Sequence, residues 1–227
     1  MRAHPQRPGE AVILLHGLGR TRRAMAPLAA ALRKAGYAVV NFGYPSTTRP
    51  VAELAATAIP AALREAEALL APAAGRRIHF VTHSLGGILV RRYLSQHRLP
   101  ALGRVVMLAP PNQGSEVTDR LRRNPIYRAA VGPAGLELGT DPGSVPRRLP
   151  AVDFELGVIA GDRSADPWFS RWIEGADDGK VSLARARVAG MKDFVVVHCP
   201  HPFIMRHREA IAQTLHFLEH GAFRHDA

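Results

Sequence analysis

The sequence Arg77-Ile-His-Phe-Val-Thr-His-Ser-Leu-Gly-Gly-Ile-Leu-Val-Arg-Arg-Tyr93 places a single serine between two different hydrophobic patterns. The β-branched and aromatic run Ile78–Thr82 predicts a buried strand, and apolar residues at helical spacing from Ile88 predict a helix directly after it. Few residues remain for the chain to reverse, and two glycines among them let strand and helix approach closely. We therefore expect Ser84 at the tip of a sharp turn, with its hydroxyl presented as a nucleophile.

The turn Thr82-His83-Ser84-Leu85-Gly86 resembles the nucleophile elbow G-x-S-x-G of the α/β-hydrolase family, with Thr82 in place of the first glycine. The resemblance implies an α/β fold with a doubly wound, mostly parallel sheet of about six strands. Such sheets place their reactive groups at the carboxyl ends of the strands. The alternative role for Ser84 is that of a helix cap, which is common for serine.

The rest of the chain alternates predicted strands and helices, as in βαβ units with helices on both faces of a parallel sheet. The predicted strands are Ala11–Leu15, Tyr37–Phe42, Arg77–Thr82, Arg104–Leu108, Phe154–Ala160 and Asp193–Val197. The predicted helices are 21–35, 51–70 with a kink or break at Pro60, 88–97 and 202–218. With 227 residues and no internal repeat, we expect one domain, 1–227. Because a strand followed by His16-Gly17 opens the chain, it resembles a minimal bacterial lipase or esterase of this family.

A serine nucleophile needs an adjacent base, and the family's chain order is serine, acid, histidine. His201 is the predicted base, because it follows the last predicted strand and Pro202 suits the first position of a helix. His198 is the second candidate, at the end of the strand, where we expect its side chain to point into the sheet.

Four aspartates after the fifth predicted strand are candidates for the acid that orients this base: Asp162, Asp166, Asp177 and Asp178. Asp178-Gly-Lys-Val resembles the segment that carries the acid in several bacterial lipases, so Asp178 is preferred. Asp166 is the main alternative, because it resembles the arrangement of other hydrolases of this family. Each of the four could instead cap a helix or pair with an arginine.

Acyl transfer also needs hydrogen-bond donors for an oxyanion. One predicted donor is the main-chain N–H of Leu85, at the start of the helix after the nucleophile. The resemblance implies that the N–H of Leu18, in the loop His16-Gly17-Leu18-Gly19, is the second. The alternative is that this loop is a plain strand-to-helix turn.

About 45 residues separate the fourth and fifth predicted strands, and we expect 110–153 to form a cap or substrate-binding insertion. Its apolar residues, with three others elsewhere, are candidates for an acyl-binding wall, although each could simply fill a core. These candidates are Leu121, Ile126, Tyr127, Val131, Leu136, Leu138, Trp168, Phe169 and Met205.

Composition limits the other classes of function. The formal net charge is +11, but the basic residues are scattered and no nucleic-acid-binding motif is present, so we expect no nucleic-acid partner. Weak association with anionic lipid surfaces is compatible with this charge. The eleven histidines show no metal-ligand spacing, so no metal and no other cofactor is expected. Cys199, the only cysteine, is expected to be an inert packed thiol.

No run is long and apolar enough to span a bilayer, and 1–10 is polar, without the apolar core of a secretory signal. A cytoplasmic location is the simpler expectation, although a mature form with its signal removed would have the same sequence. The sequence thus predicts a serine esterase or lipase for esters with an apolar acyl or alcohol part. A thioesterase or acyltransferase with the same residues, and a non-catalytic binding protein on this scaffold, are the alternatives.

Overall fold

The computed structural model describes residues 7–70 and 75–225, so the first six residues of the polar segment 1–10 lie outside the described part. Six strands form one sheet in the order β2-β1-β3-β4-β5-β6, and all neighbours pair in parallel. The strands are β1 Glu10–Leu15, β2 Ala38–Phe42, β3 Arg77–His83, β4 Leu102–Leu108, β5 Leu156–Gly161 and β6 Asp193–Val197. The expectation of a six-stranded, doubly wound parallel sheet is confirmed.

Helices connect these strands and cover both faces of the sheet. The α-helices are α1 Ala26–Lys34, α2 Val51–Leu69, α3 Leu85–Leu94, α4 Glu116–Leu121, α5 Pro125–Leu136, α6 Val145–Arg148, α7 Pro167–Ser170, α8 Leu183–Ala186 and α9 Arg208–His220. Two 3-10 helices, Arg22–Met25 and His201–Arg206, precede α1 and α9.

Three helix predictions need correction. Of the kink or break expected at Pro60, the break does not occur: α2 is one helix from Val51 to Leu69, with Ile59, Ala62 and Leu63 buried on both sides of the proline. The predicted helix 202–218 is interrupted at His207, whose extended backbone (φ −72°, ψ 130°) separates a 3-10 turn from α9. The helix after the candidate nucleophile begins at Leu85 rather than at residue 88, so the turn before it is tighter than the apolar pattern indicates.

Alternation along the central strands divides the core into two layers. In β1, Ala11, Ile13 and Leu15 pack with α2 and α3 on one face, whereas Val12 and Leu14 pack with α1 and α9 on the other. All five side chains are fully buried. A strand that is apolar on both faces is what a parallel sheet covered by helices requires.

The strand order fixes where a site can form. The chain moves from β1 outward to β2 and then returns past β1 to β3, so the connections leave the adjacent carboxyl ends of β1 and β3 in opposite directions. Ligands of open α/β sheets bind at such a switch point. Leu15 pairs with Thr82 in register, and this pairing brings His16-Gly17 directly beside His83-Ser84.

The segment 110–153 carries α4, α5 and α6 and is tied to α3 by a buried arginine. Arg91 is 3% exposed, and its guanidinium donates to the main-chain oxygens of Asn112 (2.8 Å), Leu149 (3.4 Å) and Pro150 (3.1 Å). Burial lowers the pKa of Arg91 to about 10. One side chain thus joins both ends of this segment to the helix that follows Ser84.

Candidate active site

Ser84 lies on the strained turn between β3 and α3. Its backbone has φ 50° and ψ −117°, a region that residues with a Cβ rarely adopt. The turn is held by two main-chain hydrogen bonds, from the Ser84 N–H to the oxygen of Leu108 (2.9 Å) and from the Gly87 N–H to the oxygen of Ser84 (3.0 Å). The strain is therefore balanced by bonds to the neighbouring strand and within the turn.

The glycines after the serine are required by close approach. A Cβ on Gly86 would lie 2.8 Å from the main-chain oxygen of Leu15, and one on Gly87 would lie 3.2 Å from Oγ1 of Thr82. Thr82 is fully buried. The space that Gly87 leaves open is taken by Sδ of Met107 (3.0 Å from such a Cβ) and by the Thr82 hydroxyl, so Gly87 makes room for the threonine that stands where the elbow pattern has glycine.

His201 and Asp178 form a line of hydrogen bonds with Ser84. Nδ1 of His201 lies 2.7 Å from Oδ2 of Asp178, and Nε2 lies 3.2 Å from Oγ of Ser84. Because an ionised carboxylate only accepts, the proton belongs on Nδ1, and Nε2 is left to accept from the serine hydroxyl. Asp178 is 1% exposed and His201 is 9% exposed, so water has little access to the imidazole–carboxylate pair.

The turn after Asp178 fixes its carboxylate. Oδ1 accepts from the main-chain N–H groups of Lys180 (3.0 Å) and Val181 (2.8 Å), while the main-chain oxygen of Asp178 accepts from the N–H of His201 (2.9 Å). The acid and the base are therefore joined through both main chain and side chain.

The other three aspartates have different partners. Asp162 pairs with His198 (2.8 Å), and Asp177 accepts from the hydroxyl of Ser170 (2.8 Å) and the N–H of Gly179 (2.7 Å). Asp166 lies at the start of the short helix α7. Among the contacts of the described residues, only Asp178 of the four meets His201 through its carboxylate.

His198 and Cys199 are not part of the hydrogen-bonded line that joins Asp178, His201 and Ser84. The expectation that His198 points into the sheet is wrong: its side chain is 72% exposed and pairs with Asp162 at the protein surface. The thiol of Cys199 is buried, and burial together with the negative charge of Asp178 raises its pKa. A thiol kept protonated in this way is a poor nucleophile.

The two predicted oxyanion donors lie at neighbouring strand ends. Leu85 is the first residue of α3, and Leu18 lies in the loop after β1. Within the described residues, neither main-chain N–H has a hydrogen-bond acceptor. Both amides are therefore available to donate to a bound group.

The loop that holds Leu18 is braced by the segment after β2. The N–H of Gly19 donates to the Ser46 hydroxyl (3.0 Å), and Nδ1 of His16 donates to the oxygen of Gly17 (2.9 Å). The His16 ring stacks on Tyr44, with ring centroids 4.3 Å apart. Burial lowers the pKa of His16, which keeps the ring neutral in this role.

His83 is a site residue that the sequence pattern did not identify. Nε2 of His83 donates to the main-chain oxygen of His201 at 3.1 Å, and the two rings lie 4.9 Å apart. Complete burial and the neighbouring His201 hold the pKa of His83 well below its ordinary value. On its other side the ring packs against Gly17, where an added Cβ would lie only 2.6 Å from Nδ1 of His83. His83 occupies an x position of the pattern G-x-S-x-G, where any residue is allowed, so the pattern does not predict its contact with His201.

A cavity of about 350 Å³ opens beside Ser84 and His201. Of the expected acyl wall, Tyr127, Val131, Leu138 and Phe169 line it. The remaining five do not: Ile126 and Trp168 are mostly exposed, Met205 belongs to the core, and Leu121 and Leu136 lie elsewhere in the segment 110–153. The lining also includes residues that the sequence did not suggest, among them Pro111, Val117 and Val181.

The described residues contain neither a metal-binding cluster nor a helix that could span a membrane. No group of three or more His, Cys, Asp or Glu side chains is placed to hold a metal ion between residues 7 and 225, with 71–74 excluded. Over the same ranges, every helix is too short or too polar to serve as a membrane span.

Comparison with known proteins gives a match to one family and to several solved structures. The profile of the alpha/beta hydrolase family matches residues 12–196. The mature form of lipase BlEst2 from Bacillus licheniformis superimposes with a TM-score of 0.70, at 21% identity over 95% of this chain and 94% of that one. The esterase PF2001 from Pyrococcus furiosus gives 0.65 at 21% identity, over 93% and 82% of the two chains.

The phospholipase PlaB from Legionella pneumophila gives a TM-score of 0.65 at 18% identity. This chain spans 58% of that protein, with 93% of its own length covered. Comparison with curated protein sequences gave no match.

Proposed function

The chain belongs to the alpha/beta hydrolase family, and on that premise we propose that it is a serine hydrolase of carboxylic esters, of the esterase or lipase kind. The observation that carries the proposal is the unbroken line from Asp178 through His201 to the Oγ of Ser84, with contacts of 2.7 and 3.2 Å. A base oriented by an acid and within reach of a hydroxyl is what nucleophilic catalysis by serine requires.

In the proposed reaction Ser84 attacks the ester carbonyl while Nε2 of His201 takes the hydroxyl proton. Asp178 keeps the proton on Nδ1 and stabilises the imidazolium that forms. The carbonyl oxygen becomes negative and accepts from the N–H groups of Leu18 and Leu85. His201 then protonates the departing alcohol. In the second half of the reaction water attacks the acyl group while His201 takes a proton from that water, and His201 returns the proton to Oγ as Ser84 is released.

The substrate class follows from the cavity. Tyr127, Val131, Leu138 and Phe169 offer an apolar surface beside Ser84, which suits an ester with an apolar acyl or alcohol part. The names of the structural relatives, a lipase, an esterase and a phospholipase, support ester substrates. In this proposal the segment 110–153 acts as a substrate-binding cap on a single domain.

We further propose weak association with anionic lipid surfaces. Its support is the net charge of +11 together with three exposed apolar side chains, Ile126, Trp168 and Phe203. Each is next in sequence to a residue that lines the cavity. Co-sedimentation with phosphatidylglycerol vesicles at low salt, lost at high salt and absent with phosphatidylcholine vesicles, is the expected result.

The direct test of the proposed function is hydrolysis of 4-nitrophenyl esters of increasing chain length by the whole protein. We expect Ser84→Ala to lower kcat at least about 10³-fold. Ser95→Ala is the matched control, because Ser95 is an exposed serine at the other end of α3, and it should leave kcat unchanged. Higher kcat/KM on a coenzyme-A thioester than on any oxygen ester would instead favour a thioesterase. Activity retained by Ser84→Ala would refute the proposal.

A further inference from the structure

The cavity beside Ser84 contains two basic side chains, Lys180 and Arg20, in a wall that is otherwise largely apolar. Arg20 is exposed and follows the loop that holds Leu18. Lys180 is partly buried and lies two residues after Asp178. The proposed ester hydrolysis does not use either cation, so the chemistry of that reaction does not account for their presence in the cavity wall.

The main chain of Lys180 is fixed within the turn that holds the candidate acid. Its N–H donates to Oδ1 of Asp178 (3.0 Å), and its oxygen accepts from the Ser115 hydroxyl (2.6 Å). The side chain then extends along the cavity wall, where Nζ lies 3.5 Å from the centre of the Phe169 ring. The ammonium is therefore held at one place on the wall rather than extending freely into solvent.

Lys180 has no ion-pair partner among the described residues. The carboxylates of Asp166 and Asp178 attract it electrostatically, but neither forms an ion pair with it. The carboxylate of Asp178 is already bonded to His201 and to two main-chain amides. Desolvation lowers the pKa of Lys180. A cation that loses water without gaining a carboxylate is costly, and an aromatic face offsets only part of that cost.

We propose that this cavity binds esters that carry a negative charge, a carboxylate or a phosphate, with Lys180 as the main partner of that charge and Arg20 as a second. The proposal rests on the proposed function, since it names the substrate class of the same site. An anion on the substrate would replace the water that Lys180 has lost, and in an apolar cavity such a pair is stronger than at an exposed surface. The excess of positive charge on the whole chain would also attract such a substrate.

Two matched substrate pairs test the proposal and distinguish the position of the charge. The first pair is 4-nitrophenyl hydrogen glutarate and 4-nitrophenyl valerate, which differ by a carboxylate at the end of the acyl chain. The second pair is 1-butyrylglycerol 3-phosphate and 1-monobutyrin, which differ by a phosphate on the alcohol side. The quantity measured is the ratio of kcat/KM for the charged ester to that for its neutral partner, with the Ser84→Ala rate subtracted as background.

We expect a ratio above one in at least one pair, falling about tenfold or more in Lys180→Met and less in Arg20→Gln. Lys180→Arg keeps the charge and should retain most of the ratio. Lys34→Met, on an exposed residue in the last turn of α1, is the control and should not change it. Raising the salt concentration should lower the wild-type ratio.

A wild-type ratio of one or less in both pairs, or the same ratio in Lys180→Met as in the wild type, would overturn the anion proposal while leaving the ester hydrolase intact. If none of the four esters is cleaved in a Ser84-dependent manner, the proposed function itself fails, and the anion proposal fails with it. If thermal denaturation shows that Lys180→Met is unfolded, the ratio is measured instead in Lys180→Gln and in the wild type at increasing salt. A ratio that changes in neither would overturn the anion proposal.

Discussion

The Nε2 atom of His83 lies 3.1 Å from the main-chain oxygen of His201, so the residue before Ser84 supports the loop that carries the base. The same ring fills the space beside Gly17, whose loop holds the Leu18 amide. One buried side chain therefore touches the nucleophile turn, the base loop and the oxyanion loop. We expect His83 to act as a positioning residue through these contacts.

Replacing His83 should affect turnover more than substrate binding. His83→Leu removes the donor to the oxygen of His201, and a small displacement of the imidazole is costly because its contact with Ser84 is already 3.2 Å long. We expect kcat to fall about 10- to 100-fold with KM changed by less than threefold. His83→Gln keeps an N–H at a similar reach and should recover much of the loss. Equal kcat in His83→Leu and wild type would contradict the role, as would a loss in KM alone.

The identity of the acid can be tested by comparing Asp178→Asn with Asp166→Asn. Two main-chain N–H groups bind Oδ1 of Asp178, so an asparagine there must turn its oxygen towards them and its NH₂ towards His201. That arrangement moves the imidazole proton from Nδ1 to Nε2, and a protonated Nε2 can no longer accept from the Ser84 hydroxyl. We expect kcat to fall about 10³- to 10⁴-fold in Asp178→Asn and less than threefold in Asp166→Asn. The reverse order would move the acid to Asp166.

The nucleophile turn should not tolerate a side chain at Gly86. A Cβ there would lie 2.8 Å from the main-chain oxygen of Leu15, and neither backbone can move without disturbing the pairing of β1 with β3. We expect Gly86→Ala to lower the free energy of unfolding by about 1–3 kcal/mol, measured by urea denaturation. Gly43→Ala is the control, because the nearest atom to its added Cβ is 3.8 Å away, on a flexible side chain of Arg22. Equal stability of the two variants would show that the turn has room for a side chain at Gly86.

Stability in acid should depend on His79, which is buried in β3. Burial and three nearby arginines lower its pKa from 6.5 to about 4. Between these values the unfolded chain binds a proton that the folded chain does not, so stability is full above pH 6.5 and is lost as the pH falls towards 4. His79→Asn keeps an acceptor for the N–H of Arg104 but does not titrate.

In urea unfolding between pH 7 and pH 4.5, the wild type should lose on the order of 2 kcal/mol more than His79→Asn. Part of the acid loss should persist in the variant, because burial also lowers the pKa values of His16 and His83. Parallel curves for the two proteins would show that His79 does not titrate in this way.

The fold was predictable because its signals are local. The apolar runs identify all six strands, and the two glycines in Ser84-Leu85-Gly86-Gly87 indicate a turn in which strand and helix approach closely. The order of the strands follows from alternation with helices, since parallel connections leave few topologies. The errors concern the helices: their ends, the break at His207 and Pro60, where packing on both sides of the proline outweighs its local preference.

The site was less predictable because its contacts join distant residues. Four aspartates within 17 residues carry similar local signals, and the pairing of β5 with β6 and the turn after Asp178 decide which of them meets His201. Arg91 and His83 act on main-chain oxygens far away in sequence, for which no motif exists. Within 110–153 only 117–131 is weakly amphipathic, and a weak pattern does not decide which apolar side chains face the cavity.

The most direct test of the central claim is phosphonylation by a fluorophosphonate, followed by peptide mass mapping. A hydroxyl activated by His201 should form one adduct, on Ser84, at a rate that falls by orders of magnitude in His201→Ala and that becomes undetectable in Ser84→Ala. The wild-type protein should lose ester hydrolysis in proportion to the adduct. The account would be contradicted if the wild-type protein remained unlabelled at Ser84, or if His201→Ala were labelled as fast as the wild type.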